Sequence, residues 1–235
     1  MISKCPKNTP SQPYTNIGTV KTQTLKAVDH KALKTIKICS LTVLGKDREC
    51  HLIARNEDEL NKLSEETGQK YSICSDVTNS QSVEESLKEI ENDKISGLAY
   101  CVGSIVLKSF QTTKEEDFIN TFNLNVSGAI HFIRKLQKQL AENNGSIVLF
   151  STVAVDRGFN MHSVISTPSI TQSKMAKPIL DNARIAEQIP LKHAMKRVGK
   201  PEDLAETAKF LLSSNSSWIT GQIIHVDGGK INLET

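Results

Sequence analysis

No apolar run in this chain exceeds about five residues, against the roughly 20 that a membrane-crossing helix needs, so no bilayer span is expected. The first 30 residues also lack the apolar core of a secretory leader, which points to a cytoplasmic protein. Cysteine is sparse and unpatterned. The five thiols stand at 5, 39, 50, 74 and 101, with no C-x-x-C pair and no zinc spacing. Reduced thiols are expected, and neither a disulfide framework nor a metal site. Acidic residues are nearly missing from the start of the chain. Residues 1–40 carry seven lysines against Asp29 alone, so this arm is +6 while the remainder is −3 and the whole is +3. A basic arm can meet nucleic acid or acidic lipid. This one has no arginine, no aromatic residue beyond Tyr14 and no amphipathic period, and it reads as a solvated leader. No nucleic-acid partner and no membrane partner are expected.

What the chain does have is enough apolar side chain, 38% of 235 residues, to bury one sizeable core. Its clearest unit runs from Gly97 to Thr152. Leu98-Ala99-Tyr100-Cys101-Val102 is a short apolar run closed by Gly103-Ser104, and Ser146-Ile147-Val148-Leu149-Phe150 is another, closed by Ser151-Thr152. Between them Phe118, Phe122, Val126, Ile130, Ile133, Leu136 and Leu140 fall three or four apart, the spacing of one helical stripe. Thr113-Lys114-Glu115-Glu116 reads as the helix start and Asn143-Asn144-Gly145 as its end. Strand, crossover helix and strand make a βαβ unit in a parallel sheet covered on both faces. Ligands of such sheets bind at the carboxyl ends of the strands, where Gly103 and Ser151-Thr152 fall.

The same rhythm extends both ways. Residues 1–24, with Pro6, Pro10 and Pro13, are expected to lack regular structure. Leu25 to Ile38 has a weak helical pattern and Thr35 to Leu44 is rich in β-branched residues, so helix and strand both stay open there. From Cys50 the pattern is firm: a strand to Ala54, a helix from Asn56 to about Thr67, a strand at Tyr71–Cys74, and a helix capped by Asn79 or Ser80. The class is α/β, a Rossmann-like doubly wound parallel sheet, with residues 1–43 a poorly ordered basic segment and 44–235 a single domain. Residues 153–201 contain four prolines and no convincing strand. Pro201 with Glu202 and Asp203 starts a further helix, and Ile223 to Val226 is expected to form the last strand before Asp227-Gly228-Gly229.

The run from Arg197 to Ala205, continuing through Phe210–Ser213, Trp218–Gly221 and Val226–Gly229, resembles the short-chain dehydrogenase/reductase (SDR) family. The likeness spans residues 44 to 229 and implies hydride transfer between a nicotinamide cofactor and a small-molecule alcohol or carbonyl. On that resemblance Arg55 stands where a base suits the 2′-phosphate of NADP rather than the ribose of NAD, although an arginine in a turn is often merely exposed. Asp76 and Val77 fall at the adenine contact, though such an aspartate can also simply start a helix. Cys101, Val102 and Gly103 occupy the family's Asn-Ala-Gly turn. Asn125 matches the asparagine of its proton relay, and Thr152, with Ser151 beside it, matches the catalytic serine.

Where the family places its tyrosine and lysine this chain has Ile165 and Ser169; isoleucine cannot transfer a proton, and Lys174 and Lys177 lie near in sequence but at the wrong spacing. The first strand with its glycine-rich turn is expected to be missing, since residues 1–43 offer Gly18 alone. So is the helix–strand pair after the fifth strand, because Pro168 follows Ile165 almost directly. Thr35 to Leu44 is one candidate to fill the vacant central position. The implied function is an NAD(P)-dependent oxidoreductase, weak or inactive as it stands. The alternative is a non-catalytic scaffold or a decayed gene product. A homo-oligomer remains open, with the helix that usually builds its interface missing.

Overall fold

The computed structural model describes residues 23–27 by their backbone, together with 49–68, 71–104, 106, 108–151, 171–172 and 176–230. Five strands form one parallel sheet: β1 Gln23–Ala27, β2 Glu49–Ala54, β3 Tyr71–Cys74, β4 Ile95–Tyr100 and β5 Ser146–Leu149, in the order β3-β2-β1-β4-β5. The helices are α1 Glu57–Thr67, α2 Ser80–Lys88, α3 Glu115–Phe122, α4 Gly128–Glu142, the short α5 Lys177–Leu180 and α6 Ala183–Gln188, and α7 Pro201–Leu211. A π-turn, Asn123–Ser127, joins α3 to α4.

Side chains alternate across a strand, and both faces of this sheet are covered, which is why β4 is buried from end to end. Ile53, Ile73, Leu98 and Tyr100 pack with Val83 and Leu87 of α2 and with Ala129, Phe132, Leu136 and Leu140 of α4. Leu52, Ala54, Ala99 and Val148 pack on the opposite face with Leu60 and Leu63 of α1 and with Ala208 and Leu212 at α7. The α/β, doubly wound expectation therefore holds. Helix ends are met as the sequence suggests at several places. The Asn79 side chain accepts from the amides of Gln81 and Ser82 to start α2. Asp203 accepts from the Lys200 amide at 2.7 Å and takes Arg197 on both oxygens, at 2.6 and 2.8 Å. The guanidinium holds the Asp203 carboxyl below its ordinary range.

Four expectations need correction. First, the central position of the sheet is not vacant. Gln23–Ala27 fills it, hydrogen-bonded to β2 on one side and β4 on the other. This strand lies inside the segment expected to be unstructured, and it takes the place considered for Thr35 to Leu44, which falls outside the described residues. Residues 28–48 and 152–170, where the glycine-rich turn and the helix–strand pair were expected to be missing, also fall outside them. Second, Ile223 to Val226 forms no strand, because no described strand lies alongside to share its backbone hydrogen bonds. Third, the helix expected from Thr113 begins one residue late, with Asp117 accepting from the Lys114 amide at 2.9 Å. Fourth, the long helix does not bury one stripe. Ala129, Phe132, Leu136 and Leu140 are buried, while Phe118, Phe122, Val126 and Ile130 are 38–57% exposed. The π-turn carries an extra residue in its turn, and that rotates α3 with Phe118 and Phe122 relative to α4. Ile130 is on α4 itself, beside the buried Ala129 but on its exposed face.

Candidate active site at the carboxyl edge of the sheet

The five strands end in one row. Ala54 pairs with Cys74, Ala27 with both Ile53 and Tyr100, and Tyr100 with Leu149. The residues read as functional follow these ends. Arg55 comes directly after β2 and is exposed, its carbonyl oxygen accepting the Cys74 thiol at 3.3 Å. Asp76 and Val77 come just after β3. Asp76 is half-buried, and its Oδ1 accepts from the Thr78 amide at 2.9 Å and the Thr78 hydroxyl at 2.8 Å, while its own amide donates to Ser82 Oγ at 3.1 Å. One carboxylate oxygen thus shapes the turn into α2. The Val77 side chain lies in the core, so only its backbone faces the edge of the sheet. The Val77 carbonyl oxygen is 3.2 Å from His131 Nδ1 on α4.

Cys101, Val102 and Gly103 form the turn after β4. Val102 is buried in the core, whereas Cys101 and Gly103 are half-buried. Asn125 reaches this turn from the π-turn: its Oδ1 accepts from the Ser104 amide at 3.1 Å. Its Nδ2 is buried and has no hydrogen-bond partner among the described residues. An orphaned donor of that kind is costly unless something else accepts from it. Lys108 anchors the following loop through both oxygens of Asp117, at 2.9 and 2.7 Å, and this holds the Asp117 carboxyl below its usual range. Ser151 is exposed just beyond β5, and Thr152 lies outside the described residues. The row thus falls into two groups, Arg55 with Asp76 and Val77 on one side and Cys101 to Gly103 with Asn125 and Ser151 on the other. Between them lies β1, and its boundary with β4, where the strand order reverses, is the switch point at which such sheets bind ligands.

Sequence reasoning missed three residues of this site. Ser104 contributes through its backbone amide. Tyr100 points into the core, and its hydroxyl donates to the Leu124 carbonyl oxygen at 2.5 Å. Gly128 must lack a Cβ, because one would overlap that hydroxyl and sit 3.1 Å from the Val77 carbonyl oxygen. Gly128 could have been found from its place one turn beyond Asn125; the other two could not.

The family model described as enoyl-(acyl carrier protein) reductase matches residues 46–168 and 163–230. The chain belongs to the short-chain dehydrogenase/reductase family. It is 26% identical to a 7alpha-hydroxysteroid dehydrogenase of Escherichia coli over 74% of this chain and 78% of that one. It is 25% identical to the 3-oxoacyl-[acyl-carrier-protein] reductase FabG of Staphylococcus epidermidis, over 75% and 85%. A short-chain type dehydrogenase/reductase from Mycobacterium ulcerans has the same fold, with a TM-score of 0.80 at 19% identity, over 91% of this chain and 92% of that one. A candidate gluconate 5-dehydrogenase from Beutenbergia cavernae, solved with NADP, superposes with a TM-score of 0.77 at 14% identity over 89% and 97%. Among the described residues, no helix of this SDR chain is long and apolar enough to cross a membrane.

Proposed function

We propose that this SDR protein binds NADP(H) across the carboxyl ends of β3, β2, β1 and β4, and that any hydride transfer it performs is slow. One observation carries the reading: five parallel strands end in register, the residues that follow them include a base, an acid and a glycine, and the π-turn brings the unused donor of Asn125 to the same edge. These fit a dinucleotide. Arg55 faces solvent where a 2′-phosphate would lie, and a guanidinium suits that group better than a ribose diol. Asp76 keeps one carboxylate oxygen outside its turn for the adenine end, beside the Val77 backbone. Gly103 allows close approach of the cofactor to the β4 turn. Asn125 Nδ2 supplies the donor at the reacting end, with the Ser151 hydroxyl, and that of Thr152 next in sequence, available to polarise a carbonyl. The bound nicotinamide would supply the hydride.

Ile165 supports the slow rate. It stands where the family's proton donor stands, and loss of a positioned acid costs about 10²–10⁴ in rate. The test is calorimetric titration of the full chain with NADPH and with NADH, with thermal melting alongside. Tighter binding of NADPH, with a melting point that rises with its concentration, is the expected result. No binding of either nucleotide to a cooperatively melting chain overturns the reading.

A second reading, a scaffold whose task is association, rests on the exposed row Phe118, Phe122, Val126 and Ile130, which Phe110 extends by edge-on contact with Phe118 at 6.3 Å. Apolar patches of this kind mark interfaces more often than bare surface. Sedimentation that shows a monomer at every concentration, and no partner retained by the wild-type chain but lost on Phe122→Glu, would remove it.

A further inference from the structure

We propose that Tyr100 is a positioning residue: its buried hydroxyl holds the π-turn in the register that brings Asn125 to the β4 turn with its amide nitrogen ready to donate. The proposal rests on the dinucleotide-binding reading above for what Asn125 meets, but its structural half stands alone. Tyr100 ends the innermost run of the core and is 3% exposed, its ring 6.2 Å from that of Phe132. In a continuous α-helix the Gly128 amide would donate to the Leu124 carbonyl oxygen, four residues back. Here it donates to the Asn123 carbonyl oxygen, five back. The Leu124 carbonyl oxygen takes the Tyr100 hydroxyl instead, at 2.5 Å. The phenol therefore satisfies an acceptor that the π-turn deprives of its helical donor, and it does so one residue before Asn125.

Register matters because one residue of slip turns a helical side chain by about 100°. In the observed register Asn125 Oδ1 meets the Ser104 amide at 3.1 Å and Nδ2 is buried with no partner among the described residues. Gly128 is the other half of the device. A Cβ there would overlap the Tyr100 hydroxyl, so hydroxyl and glycine have to occur together. His131, on the same helix one turn beyond Gly128, reaches the Val77 carbonyl oxygen at 3.2 Å and ties the helix to the turn after β3. The cofactor-facing turns after β3 and β4 are thus both referenced to α4 across the π-turn.

The experiment compares the full-length wild type with Tyr100→Phe, Gly128→Ala and the double variant. It reads amide exchange at Ser104 against Leu98 in mid-strand, melting, and NADPH affinity. Tyr100→Phe is expected to speed exchange at Ser104 about tenfold relative to Leu98 and to weaken NADPH binding by a similar factor, the loss of one hydrogen bond at the site. Gly128→Ala is expected to lower the melting point, and adding Tyr100→Phe to it to recover at least half of that loss, since the overlapping oxygen is gone. The proposal falls if Tyr100→Phe changes Ser104 and Leu98 equally or not at all, because the phenol then only stabilises the core. It falls also if the double variant melts no higher than Gly128→Ala. If the wild type binds neither NADPH nor NADH, the oxidoreductase reading fails, while the exchange ratio and the rescue still decide the role of Tyr100.

Discussion

Arg55 is exposed in a turn, so replacing it should cost the fold little. Charge-assisted hydrogen bonds contribute about 1.5–3 kcal/mol each. Arg55→Glu is therefore expected to weaken NADPH by about 10- to 100-fold while leaving NADH within a few fold, read by titration of both. Equal effects on the two nucleotides would place the arginine away from the 2′-phosphate. His51 presents the opposite case, a titratable group within β2 with no access to water. Burial pushes its pKa down, and the smaller pulls of Asp93, 3.0 Å from Nε2, and Glu49 act the other way. A histidine whose folded pKa lies below its unfolded value contributes stability that is complete above about pH 6.5 and is lost progressively as pH falls from there to the lower folded value. The melting point of the wild type should drop between about pH 7 and pH 5, and His51→Gln should flatten that slope. At this scale the sequence was informative where a side chain makes the contact, as Asn125 does on the Ser104 amide. It was silent where a backbone amide does, as at Ser104, or where a tyrosine acts through a carbonyl, as Tyr100 does on Leu124.

The helix from Glu115 to Glu142 shows how an element can be legible in kind and misread in orientation. Apolar residues at spacings of three and four from Phe118 to Leu140 specify a helix, but they suit a single stripe and a stripe broken by a π-turn equally well. No residue type announces the extra residue between Asn123 and Ser127, and its position is set by tertiary partners, Tyr100 on Leu124 and Ser104 on Asn125. Two truncations separate the halves of the stripe. Phe132 is fully buried against β4 and α2, and Phe132→Ala should cost about 3–5 kcal/mol, visible as a large fall in the urea midpoint. Phe122→Ala should change stability by about 0.5 kcal/mol or less, since the ring is 57% exposed. If both cost the same, the helix carries one buried stripe after all. The start of α7 is the contrasting element. Its proline and acids are local signals that need no partner to interpret, and the structure places Pro201 at the first turn with Asp203 accepting from the Lys200 amide.

At the scale of the whole molecule, everything depends on what stands between β2 and β4. The order β3-β2-β1-β4-β5 makes β1 the strand on which both halves of the sheet are hung, yet Gln23–Ala27 reads Gln-Thr-Leu-Lys-Ala, with one large apolar residue and no alternation. A central parallel strand is normally a continuous apolar run. Its absence here made residues 1–43 look like a leader and the sheet look as if it lacked its middle. The strand was legible only from its consequence, because β2 and β4 each needed a partner along an edge that would otherwise be buried and unpaired. That requirement makes a direct prediction. Leu25 pairs with His51 on one side and Leu98 on the other, so a proline there removes a ladder hydrogen bond in the middle of the sheet. Leu25→Pro, and a chain shortened to residues 30–235, should both lose the cooperative melt, whereas Leu25→Val, which keeps the amide and suits a strand, should keep it. A sharp melt from the shortened chain would mean that β2 and β4 manage without Gln23–Ala27. The residues beyond Ala27 would then have to be searched for the strand that replaces it.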